Sequence, residues 1–438
     1  MRSHIHFQLN NIPLFKKQLL QWASQFKEVS FLNSNFSDNA VASKTNYNTY
    51  SLLVAVDAVQ KLTINNVNAF EQLKGFYEDQ KDWLFGYFGY DLKNEIEKLS
   101  SANFDGLGFD EMIFFQPRLI FIVEENKLRV EFLSQINSEE EIRISVDEIQ
   151  NTLILEEENS NLIPVSIQPR VSKEQYLQAV YEIKKHIQRG DIYEMNYCVE
   201  FFAEQSKPNP IKIYTDLNEI SRTPFSCFYR NENKYLMCAS PERFIKKVGT
   251  KIISQPIKGT RKRGTNEQED DQLKEELYND SKERSENVMI VDLVRNDLSR
   301  TAKRGTVEVE ELFGIYTFKQ VHQMISTIVS EVKESIHFMD VIKNAFPMGS
   351  MTGAPKVRAM QLIEVFENTK RGLYSGAVGY ISPDENFDFN VVIRSILHNA
   401  TNGYTSFMVG SAITANSEAE REYEECLLKA EAMFQVLR

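Results

Sequence analysis

The stretch Pro256-Ile257-Lys258-Gly259-Thr260-Arg261 closes a β-prone run that begins at Lys251. A glycine lets backbone approach closely, so a lysine placed at a strand end just before it can be aimed into a cleft. Slightly upstream, Ser240-Pro241-Glu242-Arg243 sets a carboxylate behind a proline that fixes the local backbone. One amine and one carboxyl group on neighbouring strand ends can supply a nucleophile and a proton donor. Taken alone, the same residues also read as a surface lysine and an exposed Glu-Arg pair. The rest of the chain shifts that balance.

Moving outward, residues 225–229, 235–238 and 251–257 read as strands, and residues 193–202 as another. After Gly264 a charged segment, residues 266–274, passes from a solvated loop into a helix. Two-residue and 3.6-residue periods are mixed, without strict βαβα alternation. That favours an α+β protein, with antiparallel sheets carrying helices, over a doubly wound parallel sheet. Residues 172–190 predict a helix, with Ser172, Glu174 and Gln175 at its start, a stripe of Tyr176, Val180, Ile183 and Ile187, and Gly190 at its end.

Residues 1–165 read as an N-terminal α+β domain. Residues 15–26 have helical spacing, 51–59 are strand or helix, and 83–91 form an aromatic strand punctuated by glycine. Residues 117–123 and 127–133 read as a hairpin, and 138–161 as a helix running into a polar linker. Residues 170–438 form the second domain, the two being packed into one globular unit.

The 438 residues allow two or three domains, and 42% hydrophobic content with 29 Phe and 18 Tyr supports a large core. A net charge of −12 argues against a nucleic-acid binder, though a few local cations can still dominate a pocket for a small anion. Cys198, Cys227, Cys238 and Cys426 form no CxxC pair, so neither a zinc site nor a disulfide framework is indicated, and a reduced, cytoplasmic setting fits. The N-terminus lacks the apolar core of a signal peptide, and no apolar run approaches a membrane span.

Two helices carry carboxylates where apolar residues belong. In residues 281–300, Met289, Ile290, Leu293 and Asp297 follow Glu286 at three, four, seven and eleven positions, which sets Glu286 on or beside the apolar stripe. An inward carboxylate must be paired, protonated or metal-bound, and Lys282 one turn earlier is a ready partner. In the last helix, Ser417 and Glu420 read as a capping box. Glu422 and Glu425 flank its stripe three residues apart, a spacing suited to Mg²⁺, while Glu425 and Lys429 equally form an ordinary surface pair.

Residues 346–356 form a Gly-rich loop entering a helix with Pro355 as its first residue and Lys356 beside it. It reads as an anion site suited to a carboxylate, and its spacing is not that of a Walker loop. Arg394, mid-strand among apolar residues, needs a carboxylate of ligand or protein. Gly410-Ser411-Ala412 follows a strand and allows close ligand approach.

Together these segments resemble the chorismate-utilising enzymes: component I of anthranilate and aminodeoxychorismate synthases, and the isochorismate and salicylate synthases. The resemblance runs through Gly190 to Tyr193, Ser240 to Phe244, Glu286 to Asp297, His322 to Thr327, Gly353 to Lys356, Ile393-Arg394, Gly410 to Thr414 and Glu422 to Glu425. It implies an anthranilate-synthase-like fold, antiparallel sheets in a sandwich flanked by helices with the active-site cleft between the sheets. Pro-Ile-Lys-Gly-Thr looks like the aminodeoxychorismate form; anthranilate synthases usually carry alanine in place of Lys258.

The resemblance implies that Lys258 adds to C2 of chorismate while Glu242 protonates the departing C4 hydroxyl, after which ammonia attacks C4 and expels the lysine. It predicts a depressed pKa for Lys258. It further implies Mg²⁺ on Glu286 and Glu425, with Glu422 acting through water. Arg394, Lys429, Gly259, Thr260 and the backbone of Gly410, Ser411 and Ala412 would bind substrate, with His322 and Tyr380 lining the pocket. Glu194 departs from the glutamine usual in amino-transferring members, and it is not the lysine of the isochorismate and salicylate synthases. Leu32 and Ser34 lie in a segment resembling the family's tryptophan site, though a plain strand end reads as well. No cysteine sits in a glutaminase context, so a separate glutamine amidotransferase subunit is expected. The other readings are anthranilate synthase component I and a catalytically silent chorismate-binding regulatory subunit.

Overall fold

In the strand Leu52–Ile64, Leu52, Val54 and Val56 face one apolar core while Leu53 and Ala55 face another. Successive side chains of a strand point to opposite sides, so a strand apolar on both faces belongs to a middle layer. The computed structural model, which describes residues 2–35, 47–65, 68–154 and 165–438, places it there. On one side Leu53 and Ala55 meet Leu84, Phe85, Val378 and Phe389 of a second sheet. On the other, Leu52, Val54 and Val56 meet helix residues such as Leu19, Ile142, Ile183, Leu217, Leu362 and Met433. The two sheets are thus stacked, with helices against the first sheet and the helices Ala69–Gln80, Ser281–Ser299 and Phe338–Ala345 packed into the core on the side of the second.

All pairings between the strands described below are antiparallel. The first sheet runs through Arg2–Gln8, Lys127–Leu133, Met112–Glu124, Leu52–Ile64, Glu28–Asn33, Phe225–Asn231, Lys234–Ser240, Ser395–Asn399, Tyr404–Ile413 and Glu194–Ala203. The second runs through Leu84–Phe88, Ala377–Ile381, Phe387–Asn390, Arg243–Val248, Lys251–Gln255 and Val321–Glu331. Met112–Glu124 belongs to both, since one end pairs with Leu84–Phe88 and the other with Lys127–Leu133. Its partner strand breaks register between Ala58 and Gln60, opposite Pro117. A bulge beside a proline bends the pair and lets one hydrogen-bonded network fold over into a sandwich.

The chain from both sides of residue 165 contributes to each sheet. Glu28–Asn33 pairs with Phe225–Asn231, and Leu84–Phe88 with Ala377–Ile381. Residues 51–59 resolve as strand, and the helix expected at 15–26 spans Ile12–Ala23. The Ser172–Gln175 capping box is present, and Gly190 adopts φ 82° just past the helix Lys173–Gln188. Residues 155–164, most of the expected linker, lie outside the described residues.

Three local expectations change. The last helix, Ala419–Leu437, starts after Glu418, whose side chain makes no capping bond, and the Ser417 hydroxyl instead accepts a hydrogen bond from the Thr414 amide. Pro355 precedes rather than opens the helix Lys356–Phe366. Arg394 is not mid-strand: it sits at φ 52° in the turn between Phe387–Asn390 and Ser395–Asn399. Among the described residues no helix is long and apolar enough to cross a membrane.

Candidate active site

A cleft of about 690 Å³ opens between the sheets and the helices Ser281–Ser299 and Ala419–Leu437. Lys258, Gly259, Thr260, Glu242, Glu286, Glu422, Glu425, Lys429, Arg394, Gly410 and Ala412 all line it. Residues far apart in sequence thus converge on one space.

Strand irregularity aims Lys258. The strand Ile257–Lys262 slips register against Val321–Glu331 between Ile257 and Thr260, so Lys258 and Gly259 bulge out of the ladder. Gly259 has φ 94°, and a β-carbon there would come within 3.3 Å of Glu283. Only glycine takes this conformation beside that helix without strain. The Lys258 ammonium donates to Glu194 Oε1 at 2.7 Å. Burial pulls its pKa down, but Glu194, Glu286 and Glu242 outweigh burial and hold it above the ordinary lysine value. The expectation of a depressed pKa is therefore reversed in this state, because three carboxylates surround the amine.

Glu242 lies in the two-residue break between the strands Lys234–Ser240 and Arg243–Val248. Its amide donates to Ser240 Oγ, and its carbonyl accepts from Val391. Burial pushes the carboxyl up to about 7, against the opposing pull of Ser350 and Lys258. A carboxyl group poised near neutrality can hold a proton and release it, as a general acid must.

Glu286 does face inward. Burial raises it to about 7, with Lys258 opposing, and its Oε1 has no hydrogen-bond partner among the described residues. Lys282 stands 3.8 Å from Glu286 and 3.3 Å from Glu422, bridging the two helices. Burial pushes Glu425 up, but Lys429 at 2.6 Å, with Lys282 and Lys258, holds it below the ordinary value. Among the described residues no three acidic, His or Cys groups already converge as a chelate. The unsatisfied Glu286 oxygen and the hard carboxylate donors of Glu422 and Glu425 nevertheless fit a divalent cation that takes the place of the Lys282 ammonium.

Arg394 has no carboxylate within ion-pair distance among the described residues; its Nη1 donates to the Lys429 carbonyl at 3.4 Å. Burial lowers its pKa. A half-buried guanidinium with no carboxylate in ion-pair reach among the described residues is able to receive one from a ligand. Lys429 donates to the Gly410 carbonyl at 2.9 Å. A β-carbon on Gly410 would lie 2.5 Å from Cys198 Sγ, so glycine keeps this wall close to the neighbouring strand.

Several expected residues stand elsewhere. His322 is buried outside the cleft, bonded to Asp270 at 2.8 Å and Thr317 at 2.9 Å; it ties its strand to the helix Glu267–Asn279. The Ser411 side chain points away from the cleft, to the Tyr176 hydroxyl, because alternate residues of its strand face opposite sides, which leaves only its backbone for the cleft. Tyr380 lines a separate pocket of about 70 Å³ together with Leu32 and Ser34. Lys356 is neutralised by Asp297 at 2.5 Å. The loop before it is no open anion site, since Gly353–Ala354 pairs with Met195 and Glu194 as a short edge strand. Lys282, expected only as the partner of Glu286, lines the cleft as well, and so do Tyr374 and Glu283, which the sequence reading did not single out. Glu283 was legible as the residue one turn before Glu286 on the same face; Tyr374 carried no signal.

The chain belongs to the chorismate binding enzyme family, whose model matches residues 22–435. It is 34% identical over 352 residues to aminodeoxychorismate synthase component 1 of Escherichia coli, covering 80% of this chain and 76% of the relative. It is also 34% identical over 368 residues to anthranilate synthase component 1 of Aquifex aeolicus, covering 81% and 74%. The structure of anthranilate synthase component I from Streptococcus pneumoniae superposes with a TM-score of 0.77 at 25% identity, covering 87% of this chain and 91% of that one. The menaquinone-specific isochorismate synthase of Escherichia coli shares the fold, with a TM-score of 0.76 at 18% identity over all of this chain and 94% of that one. The protein is a chorismate-utilising enzyme.

Proposed function

We propose that the chain aminates chorismate at C4 with ammonia, giving 4-amino-4-deoxychorismate through a covalent adduct on Lys258. The observation that carries this reading is the Lys258 amine sharing one cleft with Glu242, a buried carboxyl group poised near pH 7. Lys258 attacks C2, both ring double bonds shift in concert (C1=C2 to C1=C6 and C5=C6 to C4=C5), and the C4 hydroxyl leaves as water with the Glu242 proton. Ammonia then attacks C4, both double bonds return, and Lys258 departs. Arg394 and Lys429 hold the substrate carboxylates. Glu286 and Glu425, with Glu422 acting through water, would hold Mg²⁺, which would supply charge neutralisation for the ring carboxylate.

Ammonia is delivered by a glutamine amidotransferase subunit, in keeping with relatives named as component 1 of their synthases. The pocket at Leu32, Ser34 and Tyr380 is the proposed tryptophan site. Four free, buried cysteines fit a reducing, cytoplasmic setting.

A second reading is amination at C2 to anthranilate, favoured by the equal identity to the Aquifex relative. The test is a product assay with the purified chain, chorismate, Mg²⁺ and a high ammonium concentration at mildly alkaline pH, analysed by mass-resolved chromatography. An aminated chorismate that keeps its enolpyruvyl group supports C4 amination. Anthranilate with pyruvate overturns it in favour of the second reading. No turnover with chorismate still bound points to a silent binding subunit.

A further inference from the structure

Lys258 has one ion-pair partner within 4 Å among the described residues, Glu194. We propose that Glu194 is the base that takes the proton from the Lys258 ammonium, freeing the amine for attack, and returns it when the lysine departs. The inference rests on the C4-amination reading.

The geometry has three parts. Glu194 is 1% exposed, and its Oε1 already accepts from Lys258 at 2.7 Å, so the transfer runs along an existing hydrogen bond. Its Oε2 is buried with no hydrogen-bond partner among the described residues, which leaves a polar atom aimed at the cleft side of the strand unsatisfied. Its backbone is held on both sides. Tyr193 donates to the Ala354 carbonyl at 2.7 Å, and Asn196 to the Thr352 carbonyl at 2.8 Å. A β-carbon on Gly353 would lie 2.2 Å from the Glu194 carbonyl oxygen. The Gly-rich loop thus serves as the clamp that positions this glutamate.

The groups facing Lys258 are Glu194 from its strand, Glu242 from the strand break, Glu286 from the helix Ser281–Ser299 and Glu425 from the last helix. Of these only Glu194 is within ion-pair distance of the amine, so it is the acceptor along a hydrogen bond already in place. When a ligand fills the cleft and water leaves, a charged lysine–carboxylate pair loses solvation that a neutral amine–acid pair does not need. The proton passes from Nζ to Oε1, and the Nζ lone pair forms the bond to C2. Glu242 gives its own proton to the leaving water. After ammonia displaces the lysine, the new C4 ammonium returns a proton to Glu242, and Glu194 returns one to Nζ. Atoms and charges close over the cycle.

The test compares wild type, Glu194→Gln and Glu194→Asp with ammonium chloride as nitrogen source, from pH 6.5 to 9.5. Glu194→Gln keeps an acceptor oxygen but no base. Its kcat is expected to fall about 100-fold at pH 7, the scale of a lost general base, with the deficit narrowing as pH rises. Glu194→Asp is expected to recover part of the rate. A second readout needs no turnover: acetylation of Lys258 by acetic anhydride, followed by peptide mass spectrometry against pH. Its midpoint is expected to drop in Glu194→Gln. An unchanged or faster Glu194→Gln rate, or an unchanged labelling midpoint, overturns the role of Glu194 and leaves C4 amination standing. A wild-type chain that makes no C4 amine removes both.

Discussion

The ammonium of Lys282 lies 3.3 Å from Glu422 Oε1, although one residue starts a helix near the middle of the chain and the other starts the last helix. The same amine is 3.8 Å from Glu286. Lys282 therefore pairs with two carboxylates of the candidate cation site, and a cation bound there would compete with its ammonium.

Lys282→Met is accordingly expected to tighten Mg²⁺ binding several-fold, on the order of 1 kcal/mol for losing a half-exposed competing ion pair. Isothermal titration of the substrate-free chain with MgCl₂ reads this directly. Weaker binding in the variant would mean that Lys282 organises the carboxylates rather than competing for them.

Lys258→Ala is expected to abolish adduct formation and to lower C4-amine production by at least about 100-fold, with residual product from direct ammonia attack. Intact-protein mass after a chorismate quench, alongside product chromatography, checks both. A wild-type rate in this variant would sink the covalent role.

Glu242 gives a pH prediction whose sign is fixed by burial. Its folded pKa of about 7 lies above the ordinary glutamate value near 4.5. Its contribution to stability is full below pH 4.5 and is lost as pH rises through 7. The shift corresponds to about 3 kcal/mol. Melting temperature of the ligand-free chain should decline between pH 5 and 8 more steeply in wild type than in Glu242→Gln. The same titration predicts an alkaline limb in kcat/KM near pH 7 as the general acid loses its proton. Parallel melting curves for the two proteins would refute the assignment.

Gly353 has φ 150°, a conformation side chains rarely adopt, and no room for a β-carbon against the Glu194 carbonyl. Gly353→Ala should cost about 2 kcal/mol or more in stability, by backbone strain and displacement of the edge pairing. Urea denaturation measures it. An unaffected midpoint would mean that the loop yields without loss.

Much of this protein was settled by sequence alone. Two-residue and 3.6-residue periods are local, so the α+β class, the hairpin at residues 117–133 and the helix from Lys173 were legible, as was the inward face of Glu286. Ordered motifs marked the family because each motif's spacing is a property of the chain. Tertiary structure decided what those residues meet. Asp270 claims His322 and Asp297 claims Lys356, while the pleat turns Ser411 from the cleft and the fold carries Tyr380 to another pocket. None of those partners is near in sequence to the residue it captures, and side-chain type does not reveal the neighbour. The state of Lys258 is the clearest case. A lysine near the end of a β-prone run is visible in the sequence, but its charge depends on carboxylates 16, 28 and 64 positions away that only the folded sheets bring together.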